Sequence, residues 1–405
     1  MPSSDAFREY IETVCRQVRW KRVHPSIAAE LETHMCDQCD AFQAEGDDAQ
    51  TAEEKAICEM GDAVVIGQAF DTTHRPKPQW TMLSIVAVLL LMGIGLRLFL
   101  FTDAEVHGNL RTMLLSCGIG IAVMCATYFA DFSLLGKHPY VFANIVVYTT
   151  LLTSLLFPGL VNGRHVSVAP VGAGITISSN LLLLYPLVVA VLVYANRKRS
   201  RKEILIFCII LAVLAVIGVL CAANYIVSTF HVSRWQSIFH PELDPTGHGY
   251  FPLMIREMLA GAKWFGHGAV SDVHHTYLAQ SPVAATDILL VTLAVRVGWG
   301  AVAAILVVFA TLLGMGFRLC CKQRSVLGKM VSFAVLFTLA AQMLLYVVYN
   351  LGFPFLPPMT LPLVSRSGTA MVMNMGLIGI MLSVFRTGDV VSDVQPAPKK
   401  QAVAI

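Results

Sequence analysis

A run of about twenty apolar residues, the length a helix needs to cross the hydrocarbon core of a bilayer, recurs along the chain between Trp80 and Phe385. No other feature restricts the fold so tightly. In lipid every backbone amide must be paired within its own helix or within a closed barrel, and apolar runs of this length read as helices. The runs fall near residues 80–101, 110–129, 140–157, 175–195, 204–223, 288–313, 330–349 and 370–385. Hydrophobic residues make up 56% of the chain and charged residues 14%, whereas a soluble domain carries about half and a quarter. The expected fold is all-α: a polytopic membrane helix bundle of about eight spans, preceded by a small soluble helical domain.

Orientation follows from where the basic residues collect. Arg197, Lys198, Arg199, Arg201 and Lys202 crowd one connection, and Arg318, Lys322, Arg324 and Lys329 crowd another. With eight spans both connections lie on one side, and the excess of Lys and Arg makes that side the cytoplasm. Residues 1–78, a helical module and its linker, and the tail 389–405 then lie inside as well. The membrane part covers 79–388, and segments 158–174, 224–287 and 350–369 face outward. The net charge of +3 is too small to argue for a nucleic-acid partner.

Residues 1–78 have helical patterns over 5–19, 27–44, 51–60 and 62–74. Thr51 followed by Glu54 predicts a capping box at the third start. Arg75-Pro76-Lys77-Pro78 forms a stiff basic linker before Trp80, an aromatic suited to the interface. The ten cysteines do not sit in a long outward loop, so they do not suggest a disulfide framework. His34, Cys36 and Cys39 make an H-x-C-x-x-C string that does not complete a common four-ligand site, so metal is not assigned to it.

The long outward segments exceed ordinary connections, and loops of that length usually carry function. Asp287 stands at the mouth of a span, where an ionisable group is costly to desolvate; the alternative role is that of a helix N-cap. Arg296 lies nine residues on, about 13 Å deeper on a continuous helix and on the opposite face. It either reaches backbone carbonyls and hydroxyls or meets an anionic ligand. Arg97 and Arg111, near outer helix ends, are expected to snorkel. Arg164, Arg234, Arg256, Lys263 and Arg366 form an outward basic set suited to a diphosphate-bearing substrate. The alternative for that set is scattered surface charge.

In their order along the chain, these segments resemble the FtsW/RodA/SpoVE (SEDS) family of bacterial cell-wall proteins. Residues 361–386, LPLVSRSGTAMVMNMGLIGIMLSVFR, are similar to that family's LPFxSYGG-type signature. Residues 234–268 carry its arginine, DP-G-GY and G-FG-G pattern, and Thr286-Asp287-Ile288-Leu289-Leu290 resembles its TDFIF, with Gly298 at the expected glycine. Asn162-Gly163-Arg164-His165-Val166 is similar to its NGAxRWI. The chain departs from the pattern at Val295 and Arg296, which stand where the family has an acidic pair, and at Arg366 in SYGG. The family usually has ten spans. Residues 1–75 resemble a short helical prefix domain found on various membrane proteins, which implies regulation or docking.

The resemblance implies a multi-pass protein of the bacterial cytoplasmic membrane, with both termini cytoplasmic, that polymerises lipid II or another undecaprenyl-linked precursor. It implies Asp287 as the catalytic base and a class B penicillin-binding transpeptidase as partner, with membrane lipid around the bundle. Substrate contacts fall to Arg164, Arg234, Lys263, Arg296, Ser365 and Arg366. No cofactor is identifiable, although diphosphate chemistry is compatible with a divalent cation. Two other classes stay open: a non-catalytic relative acting as scaffold or regulator of a cell-wall enzyme, and a flippase of lipid-linked precursor.

Overall fold

The structure is a computed structural model that describes residues 5–100, 105–156, 158–161, 164–169, 175–176, 182–198, 200, 202–203, 236–280, 284, 286–354, 359–365 and 368–388. By its internal contacts the chain divides into two units, Met1–Pro78 with Arg386–Ile405, and Gln79–Phe385.

In the first unit, helix α1 (Asp5–Gln17) buries Phe7, Tyr10 and Val14, spaced three and four residues apart as one helical face requires. Helix α2 (His24–Glu45) answers with Ile27, Leu31 and Met35, and the two stripes form one core with Val18, Val23 and Ala56. Helices α3 (Ala49–Met60) and α4 (Ala63–His74) complete the unit. The Tyr10 hydroxyl donates to the Gly61 carbonyl at 3.1 Å, and Gly67 brings α4 against Val14 and Gln17, where a Cβ would lie 2.7 Å from the Gln17 side chain. The cap of α3 is not the predicted Thr51 box. Asp48 caps it, accepting from the Thr51 amide at 3.4 Å; the helix starts two residues before Thr51, which supplies the amide instead of the capping oxygen.

The second unit is a bundle of apolar helices. Among the described residues, four are long and apolar enough to cross a membrane: α5 (Trp80–Leu100), α13 (Trp299–Lys322), α14 (Val326–Asn350) and α15 (Gly368–Thr387). Before α13 come α6 (Glu105–Phe129), the short α7 (Ser133–Lys137), α8 (Pro139–Leu156) and α9 (Tyr185–Ala195). Helices α10 (Tyr250–Ala260), α11 (Asp272–Gln280) and α12 (Leu289–Arg296) then follow. Three short strands, β1 (Pro158–Val161), β2 (Arg164–Ala169) and β3 (Ile175–Thr176), pair antiparallel in that order. Within the span expected over 175–195, Ile175 and Thr176 are instead extended and pair with Ala169 and Val168, and among the described residues helix is found from Leu182 onward. The span expected over 204–223 lies outside the described residues.

Small residues let the helices approach, as they do where lipid supplies no hydrophobic drive between helices. Gly379 of α15 lies against Met124 and Thr127 of α6. Thr127 donates to the Gly376 carbonyl at 3.2 Å, and Ser383 donates to the Ala130 carbonyl at 2.6 Å. On α5, Gly93 packs against the backbone of Leu363 and Val364, where a Cβ would meet the Val364 carbonyl oxygen at 2.7 Å. That packing accompanies a buried turn in which Leu363 has φ 65°, a left-handed conformation that costs a non-glycine residue on the order of 1–2 kcal/mol. Arg97, one turn further along α5, is 5% exposed rather than snorkelling.

Candidate active site at the start of α12

The span expected over 288–313 is two helices. α12 ends at Arg296, and Gly298, with φ 118°, starts α13 on a new course. A break inside an apolar span frees amides and carbonyls, which survive only when protein pairs them. Residues 261–269 do so. Gly266 and Gly268 donate their amides to the carbonyls of Val297 and Val295 at 2.8 Å each, while Trp299 and Gly300 donate theirs to Lys263 at 3.0 Å and Trp264 at 3.1 Å. A Cβ on Gly298 would lie 2.5 Å from the Trp264 carbonyl oxygen. The G-A-K-W-F-G-H-G string is thus the partner of the helix break, and its glycines allow the backbones to meet.

A second set of bonds holds the other end of α12. Its N-cap residue is Ile288, with no side-chain cap bond, so Asp287 does not occupy the cap position. Two side chains of α14 take over that work. The Tyr346 hydroxyl accepts from the Leu289 amide at 3.0 Å and donates to the Thr286 carbonyl at 3.0 Å. Asn350 accepts from the Val291 amide at 3.3 Å through Oδ1 and donates to the Asp287 carbonyl at 2.9 Å through Nδ2. Thr292 adds a bond to the Ala284 carbonyl at 3.0 Å. Tyr346 and Asn350 are buried, whereas Asp287 is half-buried. The turn that carries the carboxylate is clamped from beneath and open above.

The segment around this turn is also built from local bonds. In D-P-T-G-H-G-Y, Asp244 accepts from the His248 amide at 2.8 Å through its side chain and from the Gly249 amide at 3.0 Å through its carbonyl. Arg256 of α10 donates to the Ile238 carbonyl at 2.7 Å and the Gly352 carbonyl at 3.2 Å, and its guanidinium lies 4.7 Å from the Phe353 ring centre. One arginine thereby joins α10 to the turn beyond α14.

The other predicted site residues fall as follows. Lys263 is exposed, beside the helix break. Arg296 is half-buried and donates to the Leu100 carbonyl. Ser365 is buried and donates to the Leu361 carbonyl at 3.2 Å. Arg164 lies on β2, opposite Val161. Arg234 and Arg366 lie outside the described residues. Tyr346 and Asn350 were not among the predicted residues, although the sequence carries a signal for them. With Gln342 they form a polar series at every fourth position of a largely apolar helix, and Gln342 donates to the Thr360 carbonyl at 2.8 Å.

Comparison with known proteins agrees with this architecture. The rod shape determining protein RodA of Thermus thermophilus, solved as an aspartate-to-alanine variant, superposes with a TM-score of 0.56 at 18% identity, over 77% of this chain and 98% of that one. A chain from a peptidoglycan synthase complex that coordinates polymerization and crosslinking gives a TM-score of 0.55 at 17% identity, over 76% of this chain and 98% of that one. The probable peptidoglycan glycosyltransferase FtsW of Halothiobacillus neapolitanus is 24% identical over 269 residues, which is 64% of this chain and 60% of that protein. The chain thus spans about two fifths to three fifths of the length of the curated relatives it matches. Residues 174–389 match the model of the FtsW/RodA/SpoVE cell cycle proteins. The chain is an all-α polytopic membrane protein and belongs to the FtsW/RodA/SpoVE family.

Proposed function

We propose that this chain polymerises lipid II, or another undecaprenyl-linked sugar precursor, into glycan strands at the outer face of the bacterial cytoplasmic membrane, with a class B penicillin-binding transpeptidase as partner. The single observation that carries the reading is the clamped turn of Thr286 and Asp287, whose two carbonyls are bonded to α14 while the acid itself stays half-exposed. A base held on a fixed backbone can meet an acceptor hydroxyl without reorganising. The hydroxyl gives its proton to the Asp287 carboxylate as its oxygen bonds to the donor sugar carbon, and undecaprenyl diphosphate leaves with the electron pair of the broken bond. The exposed Lys263, together with Arg164, Arg234 and Arg366, is assigned to the diphosphate. Arg296 and Ser365 are assigned to shaping the site, since their polar groups bond to main-chain carbonyls. Residues 1–78 are assigned to regulation or docking on the cytoplasmic side.

The test compares purified wild type with Asp287→Asn, each with its transpeptidase, for glycan chains made from lipid II. The expected result is polymer from the wild type and a rate about 10²- to 10⁴-fold lower from the variant. Equal polymer from both overturns the role of Asp287. A second reading, a non-catalytic relative, draws on Val295 and Arg296, which replace the acidic pair that the resemblance implies; it predicts no polymer from either protein. Lipid translocation in vesicles, lost in Arg296→Leu, would point instead to a flippase.

A further inference from the structure

The α13–α14 hairpin carries a feature that polymerisation does not use. At its basic end an open groove of about 420 Å³ is lined by Phe317, Cys320, Cys321, Lys329, Met330 and Phe333. Phe317 and Phe333 stand with ring centres 6.4 Å apart and are each about half exposed. In water such a groove would be costly, whereas on a membrane helix it is a seat for a hydrocarbon chain. Every lining residue except Lys329 is apolar or a thiol. α13 ends at Lys322 and α14 begins at Val326, so Lys322, Arg324 and Lys329 all stand within about one turn of the connection, and all three are exposed, as is Arg318.

These bases have no countercharge on their own elements. From Ile288 to Gly388 the chain contains no Asp or Glu, so α13, α14 and α15 carry basic charge alone. Asp131, on the connection that leads to α7, accepts from Ser133 at 2.5 Å. Loop charge is sufficient to set orientation, but orientation does not require an apolar groove with a lysine in its lining. Basic pockets between membrane helices on the cytoplasmic side suit anionic headgroups.

We propose that this groove binds one anionic phospholipid, with an acyl chain laid against the Phe317–Phe333 pair and the phosphate on Lys329, near the Lys322 and Arg324 connection. The proposal uses the membrane reading and does not depend on polymerase activity.

The full-length protein, purified in detergent, is titrated with phosphatidylglycerol or with phosphatidylcholine of the same chains, and bound lipid is read by native mass spectrometry. The wild type is expected to retain one phosphatidylglycerol at ratios where phosphatidylcholine is lost. Lys322→Gln/Lys329→Gln should weaken retention by about fivefold for each base removed. Met330→Trp, which fills the groove without changing charge, should abolish it. Lys198→Gln/Lys202→Gln removes the same charge from the other basic connection and should leave it unchanged. Equal retention of the two lipids, equal weakening by both double variants, or full retention in Met330→Trp would each overturn the proposal.

Discussion

Tyr346 and Asn350 lie four residues apart on α14, which places both on one face beneath the turn that carries Asp287. Each forms one bond to an amide at the start of α12 and one to a carbonyl just before it, so removing either side chain orphans a buried amide and a partly buried carbonyl. An unsatisfied buried group costs about 1–3 kcal/mol. Tyr346→Phe keeps the ring and loses only the hydroxyl. It should lower the turnover of polymerisation, leave the KM for lipid II close to that of the wild type, and lower the thermal midpoint; an unchanged rate would remove Tyr346 from the positioning of Asp287. Reading the sequence by charge finds Asp287 and passes over these two neutral residues, because only the fold shows that their polar atoms face a helix start. Arg97 failed in the opposite sense: a basic residue near a helix end reads as snorkelling, but it is 5% exposed, and sequence alone does not report which helix faces are covered by the rest of the bundle. Asp48 offers a pH-dependent test in the first unit. Hydrogen bonds from the Thr51 hydroxyl and amide hold its carboxyl below the usual carboxylate value. Its contribution to α3 is therefore present above the unfolded-state pKa and is lost as pH falls through the depressed folded value. Amide exchange across α3 should be faster in Asp48→Ala than in wild type at neutral pH, and the difference should close in acid.

The division of one apolar run into α12 and α13 decides the shape of the site. Hydropathy alone does not report it, since Val297 and Gly298 barely interrupt the run; Gly298 marks the break only once its φ of 118° is known. The partner string at 261–269 is legible as a glycine motif but not as the segment that pairs the broken helix, because its bonds reach about thirty residues ahead. Gly298→Ala places a Cβ in a left-handed backbone and against Trp264. The backbone strain alone costs on the order of 1–2 kcal/mol, so the thermal midpoint should fall and polymerisation with it. A variant of wild-type stability would show that the break tolerates a side chain. The α6–α15 seam obeys the same logic. Gly379→Leu should separate the helices at Thr127 and reduce the yield of folded protein in detergent, as read by monodispersity on gel filtration.

For the whole molecule, the sequence was most informative where physics leaves few choices. Long apolar runs had to be helices: α5, α14 and α15 lie where those runs stand, and the run over 288–313 is shared between α12 and α13. The two basic connections predict the sides, and the ordered motifs between them predict the outward segment. What remained hidden was architecture made by distant bonds: Arg256 reaching Gly352, the three short strands, and the clamp on α12. The account rests on residues 236–280 and Asp287 lying outside the cell while the first unit and the α13–α14 connection lie inside. The most direct measurement is labelling with a membrane-impermeant maleimide, using Val273→Cys on the exposed face of α11 and the native exposed Cys36 as internal reference. In intact spheroplasts position 273 should be labelled and Cys36 should react only after permeabilisation. Labelling of Cys36 in intact cells, with position 273 protected until the membrane is opened, would contradict the orientation and the proposed site together.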